Sequence, residues 1–279
     1  MLTVSDNTQV DIIAHQFDAW LMVGAEGAAT GTVAISDSSV LIDGGRNAGM
    51  RLGTSWFDSV DQTGTGALTI EDGSDVTIRS GGDVAQFFVG GGAGSDAQAI
   101  IRDSTVTMEG GVQRLVLVGA SPDFVFGTGG QGEMHIEGAD ARLNGVGVMV
   151  VGGNAGTGQL TMVDGARIAM DGEGGGWGNN AFLGVGIGRV RADEPHTHGS
   201  GEMLLEGSDT RIDITADDAA RLFVGTNVGT GHAILRDGAQ IALDGAVSVL
   251  HLGTDSGTGW LDLVGADTRV SHPKSLFFV

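Results

Sequence analysis

Short runs of alternating apolar and non-apolar residues recur along this chain three at a time, separated by joints rich in glycine and aspartate. In residues 151–172 the run Leu160-Thr161-Met162 leads through Asp164-Gly165 to Ile168-Ala169-Met170. Residues 224–245 repeat the arrangement with Ala233-Ile234-Leu235, Asp237-Gly238 and Ile241-Ala242-Leu243. A period of two turns one side of each run inward and the other outward, which is the signature of a half-buried strand. A third run closes each unit on a Val-Gly or Leu-Gly pair. These pairs end at Gly24, Gly53, Gly90, Gly119, Gly152, Gly184, Gly225 and Gly253, so successive copies lie 28 to 41 residues apart. Constant motifs at a variable period describe strands of fixed size joined by elastic loops, and a repeat of this kind decides the architecture.

The alternation predicts the inward residues. The first run supplies pairs such as Val33/Ile35 and Leu68/Ile70, and the second supplies Val40/Ile42, Val76/Ile78 and Leu143/Gly145. The third supplies Met50/Leu52, Phe87/Val89, Ala181/Leu183 and Phe277/Val279. The Asp-Gly joints suit sharp turns, because both residues tolerate positive φ. Taken alone they suggest hairpins. Recurrence of the same strand about every 30 residues favours stacking each strand on its own copy in the next coil. The expected fold is all-β: a right-handed parallel β-helix (solenoid) with three strands per coil and about eight coils, formed by residues 1–279 as one segment. At the usual strand spacing such a rod is on the order of 40 Å long. No helix longer than a turn or two is expected.

Composition narrows the function classes. Glycine accounts for 51 residues without a strict three-residue period, so it serves turns rather than a collagen helix. The net charge of −21, with Lys274 the one lysine, argues against nucleic acid, which clustered Lys and Arg recognise. Cysteine is absent, which removes disulfide and thiol chemistry and suits export through an oxidising space. The N-terminal residues show no signal peptide, and no apolar run reaches the ~18 residues of a membrane-spanning helix.

The consensus Val-Gly-x-x-Gly-Thr-Gly-x-Leu-x-Ile-x-Asp-Gly-Ala-x-Val, matched by Val151–Ile168 and Val224–Ile241 and more loosely by Gly64–Val76 and Leu252–Val270, resembles the repeats of bacterial autotransporter passenger domains. These are the exported parts of type V secretion proteins. The resemblance covers nearly the whole chain and implies a non-enzymatic surface-displayed or released β-solenoid, an adhesin or stalk. Its place is then the cell surface, attached to the outer membrane, or the extracellular space. Implied partners are a host-surface or cell-surface ligand, or further copies associating along the rod. No membrane insertion by this segment and no cofactor is expected. The chain begins and ends within a repeat, so the expectation is a fragment of a longer passenger, with the export signal and barrel lying elsewhere.

Other motifs carry less. Gly127-Thr-Gly129-Gly-Gln-Gly132 spells a dinucleotide fingerprint, but a strand rather than a helix follows it. Gly91-Gly-Ala-Gly94-Ser-Asp96 opens like a calcium-binding nonapeptide, yet a single copy cannot share ions between turns. The stacked aspartates Asp6, Asp37, Asp72 and Asp103 leave a cation-binding solenoid open as an alternative. A carbohydrate-active lyase or hydrolase is the other, since abundant carboxylates can form acid–base pairs. The longest insertion offers Asp193, Glu194, His196 and His198 as candidate transition-metal ligands. Finally, the outward residues of the third run include Met22, Phe88, Leu117, Val150, Phe182, Phe223 and Phe278, interrupted by Arg51 and His251. In register these form an apolar stripe, which either lies under the neighbouring insertions or serves as a binding face.

Overall fold

The computed structural model describes residues 1–25, 28–53, 64–120, 129–174, 179–191, 194–272 and 276–278. Three parallel sheets of nine strands each run the length of the molecule, and every strand pairs with its counterpart one repeat away. The chain is thus a parallel β-helix of three strands per coil. It has nine coils rather than about eight, because Leu2–Val4 and Leu276–Phe278 each complete one. The helical content is one short 3-10 turn at Gly172–Gly174 among the described residues.

The aspartate turns, followed by glycine or serine, carry the chain from the first sheet into the second without folding it back on itself. Asp37, Asp72, Asp103, Asp164 and Asp237 all sit at positive φ. The turn's backbone bonds cross to the next coil, as from Asp37 N to Glu71 O and Asp103 N to Glu137 O. Serines add a ladder of their own in the early coils: Ser74 Oγ accepts from Ser38 N, and Ser104 Oγ accepts from Ser74 N. Thr210 and Thr268 take over this role in the later coils, accepting from Gly165 N and Gly238 N.

The corner between the third and first sheets explains the repeat's glycines. Gly152 has φ +68, and a Cβ there would lie 1.7 Å from the Ser200 carbonyl oxygen of the following coil. Its companion Gly158, from the Thr-Gly half of the motif, would place a Cβ 2.2 Å from Gly152 N. The two backbones meet where no side chain fits.

Inward residues form continuous columns that bury Ile35, Ile70, Ile101 and Ile136 on one side and Val40, Val76, Val106 and Leu143 on the next. Each such side chain contributes about 1.5–3 kcal/mol when fully buried. Three expected positions are corrected. Gly145, at φ +72, bulges out of the second sheet, and Val146 takes its inward place opposite Met170. In the sixth coil the inward pair is Leu183/Val185, not Ala181/Leu183, and the corner glycine is Gly186 (φ +64) rather than Gly184. In the last coil Phe278 pairs with Leu250, which puts it in register with an inward column instead of the outward stripe.

Outside, the same stacking brings opposite charges together. Arg102 lies between Glu71 (3.1 Å) and Glu137 (3.2 Å), Arg79 between Asp43 (3.6 Å) and Glu109 (2.9 Å), and Arg236 reaches Glu206 at 2.6 Å. Hydrogen bonding to Arg102 holds the Glu137 carboxyl below its usual range. These pairs are exposed, so each adds at most about 1 kcal/mol.

Candidate functional site: the outer face of the third sheet

Each strand of the third sheet turns two residues outward, and the register sorts them into two neighbouring columns. One column runs Met22, Arg51, Phe88, Leu117, Val150, Gly184, Phe223, His251. The other runs Trp20, Gly49, Gln86, Leu115, Val148, Phe182, Arg221, Val249 over the same coils. Phe182 therefore belongs beside the expected stripe, not in it. Gly184 occupies the stripe position in that coil, and the Ile187 side chain fills the space a Cβ would need.

The stripe is outward-facing, yet its middle is not bare. Phe88 and Leu117 are 0% exposed and Val150 is 2% exposed. With Leu115, Ala120 and Val148 they form a second apolar cluster, separate from the core and flanked by Val84 and Phe182. Burial closes these three residues to a partner in this state. The insertion residues 54–63 and 121–128, the expected covering segments, lie outside the described residues. Met22, Phe182 and Phe223 are half-buried, and the Phe278 side chain also lies outside the described residues.

Arg51, which reads as an interruption in the sequence, is built into this face. It is 2% exposed. Its guanidinium carbon sits 4.4 Å from the Trp20 ring centroid and 5.2 Å from that of Phe88, and its Nη2 donates to Gln86 Oε1 at 2.7 Å. A delocalised cation between two aromatic faces is favourable even when desolvated. The signal for it was Trp20, at the outward position two residues before Met22.

Towards the far end the face opens. Phe223 stacks between Phe182 (centroids 5.7 Å apart) and His251 (4.9 Å). Desolvation pushes the His251 pKa below its ordinary value, and Arg221 adds to the effect against Asp255. A histidine whose folded pKa is lowered favours the folded state fully above the unfolded value near 6.5 and loses that contribution as pH falls below it. Thermal stability is therefore expected to drop on acidification below about pH 6.5, and less so in His251→Phe. A melting series across that range checks this.

A buried charge also marks the edge of this sheet. Arg114 stands between small residues, with Ala85 below it and Gly147 above. Its guanidinium pairs with Asp171, two coils on. Because the Arg114 side chain is only 11% exposed, removing Asp171 strands a nearly buried cation.

The candidate metal ligands do not converge in what is described. Glu194 and His196 lie on Glu194–Thr197, which pairs antiparallel with Arg189–Arg191. Their side chains and Asp193 lie outside the described residues. His198 is exposed, and its Nδ1 donates to the Val228 carbonyl oxygen at 2.8 Å. No cluster of three or more metal-binding side chains occurs among the described residues. In the nonapeptide-like loop, Ser95 Oγ donates to Gly92 O and accepts from Gly92 N, closing the turn on itself. Of the stacked turn aspartates, Asp37 accepts from Asn7 Nδ2 and Asp72 from Ser36 Oγ. No described helix is long and apolar enough to cross a membrane. No protein-family model matches this chain, and neither a curated protein nor a solved structure matches it.

Proposed function

We propose that this chain is a non-enzymatic, surface-displayed or secreted β-solenoid, a stalk or adhesin segment of the autotransporter-passenger kind. The observation that carries the reading is the unbroken register of three nine-strand sheets, which makes a stiff rod with long outer faces. A rod of stacked coils gains length and surface together, and contacts only its neighbours along the axis. The excess of acid and the lack of cysteine suit a strand-rich object held in solution and exported through an oxidising space. Antibody raised against the purified chain is expected to label intact cells of the source organism, or their medium, with cell labelling lost after protease treatment. A signal that appears only after lysis contradicts the proposal.

A further inference from the structure

The second sheet carries a column of like charges, in contrast to the cross-coil pairs of Arg79, Arg102 and Arg236 with carboxylates. The first outward position of its strands reads Arg142, Arg167, Arg211, Gln240 and Arg269 in consecutive coils. The same column in the earlier coils reads Gln9, Ser39, Asp75 and Thr105. Four of the chain's 14 basic residues thus fall in one line on a protein of net charge −21.

Elsewhere Arg46, Arg79, Arg102 and Arg236 each meet a carboxylate from an adjacent coil. The ladder arginines do not. Arg142 donates to its neighbour's carbonyl oxygen, Ala141 O, and Arg269 to Gln240 Oε1; Arg211 reaches Asp213 within its own strand. Arg167 is exposed and has no hydrogen-bond or ion-pair partner among the described residues. Like charges directly opposite one another in a sheet are destabilising, by roughly 1 kcal/mol at one strand spacing in water. A bound anion reverses that sign.

The ladder borders an open groove lined by Arg167, Ser208, Asp209, Arg211, Asp213 and Gln240. The Ser208-Asp209 turn, one residue longer than the Asp164-Gly165 turn of the preceding coil, forms its wall. The lining mixes two guanidiniums with a hydroxyl, an amide and two carboxylates. Guanidiniums match carboxylates in planar forks, while Asp, Gln and Ser side chains suit sugar hydroxyls. The two aspartates disfavour a densely charged polyphosphate. We infer that this groove binds a linear polyuronate, a chain of hexuronic acid sugars, with carboxylates on the arginine ladder and hydroxyls on Asp209, Asp213 and Gln240. An extended chain running along the rod axis presents its carboxylates repeatedly to successive coils. The inference concerns binding in solution and holds wherever the protein resides.

The test is titration calorimetry of the purified chain with oligogalacturonate, with an uncharged oligosaccharide and a short oligothymidylate as comparison probes. Expected is salt-sensitive binding of oligogalacturonate alone. Arg167→Ala and Arg211→Ala should each weaken it roughly tenfold, the loss of one charge-assisted contact. Arg167→Lys should recover part of the affinity, and Arg236→Ala, at an arginine outside the groove, should leave binding unchanged. Circular dichroism confirms that each variant is folded, and Arg167 is exposed enough to be replaced without unfolding. The inference is overturned if oligogalacturonate fails to bind, if Arg236→Ala weakens binding as much as Arg167→Ala, or if oligothymidylate binds equally well.

Discussion

Gly152→Ala is expected to destabilise the protein by several kcal/mol, whereas Gly73→Ala costs only about 1–2 kcal/mol. Both glycines have positive φ, +68 and +74, so both variants suffer the same conformational penalty for an L side chain. They differ in surroundings. At Gly73 nothing lies within 4 Å of an added Cβ, while at Gly152 it would meet the Ser200 carbonyl oxygen at 1.7 Å and the Ser200 carbonyl carbon at 2.3 Å. That neighbour is backbone of the next coil, held by the hydrogen bond from Ser200 N to Gly156 O, and it cannot move aside as a flexible side chain would. The two coils must part at the corner. Denaturant unfolding of the two variants isolates the close approach from the φ cost. Equal losses would mean that the corner glycines serve conformation alone.

Phe88→Ala is expected to cost about 3–5 kcal/mol, the range for removing a fully buried phenylalanine, although Phe88 points away from the core. Its neighbour Phe87 faces the interior, and both are 0% exposed, so one strand buries consecutive aromatic residues on opposite faces. Loss of the Phe88 ring leaves a cavity beside Leu117 and removes one of the two aromatic faces that bracket Arg51. The Arg51 cation then loses stabilisation in a place where water does not replace it. A double-mutant cycle of Phe88→Ala with Arg51→Met should therefore show a coupling of roughly 0.5–2 kcal/mol. A near-neutral Phe88→Ala would show that this face is open in solution.

The columns were legible because alternation fixes which side of a strand faces inward, and stacked copies bury the same positions. Legibility failed where a local irregularity imitates the motif. Leu183-Gly184 looks like the closing pair of a repeat, but Val185-Gly186 follows two residues later, and only the second glycine takes the positive φ of the corner. Gly145 falls on the expected inward beat, yet its freedom lets the strand bulge and hands the position to Val146. Alternation left two states for the outer stripe, covered or bare, since it tells inward from outward and not covered from bare; Phe88, Leu117 and Val150 are buried. Trp20 beside Arg51 held the clue, but it becomes one only when Met22 and Arg51 are known to be neighbours.

The arginine ladder was half visible. Arg142, Arg211 and Arg269 each follow the longer turn, at the same place in the sequence pattern. That Arg167 joins them after a shorter turn is a fact of register, set by the backbone pairing of Arg142 with Arg167 and of Arg167 with Arg211. Variable turn and loop lengths hide such cross-coil neighbours from a linear reading.

The β-helix stands or falls with each strand stacking on its own copy one repeat later, and the absence of cysteine allows a direct check. Thr77 and Thr107 are register partners in adjacent coils of the second sheet, both turned outward. Parallel neighbours lie about 4.8 Å apart, within the ~4.4–6.8 Å Cα range of a disulfide. A hairpin about Asp72-Gly73 would instead set Leu68 opposite Thr77. The measurement is disulfide formation under mild oxidation in two double variants, Thr77→Cys/Thr107→Cys and Leu68→Cys/Thr77→Cys. The stacked-coil account predicts ready cross-linking in the first and none in the second; a cross-link in the second and not the first contradicts it.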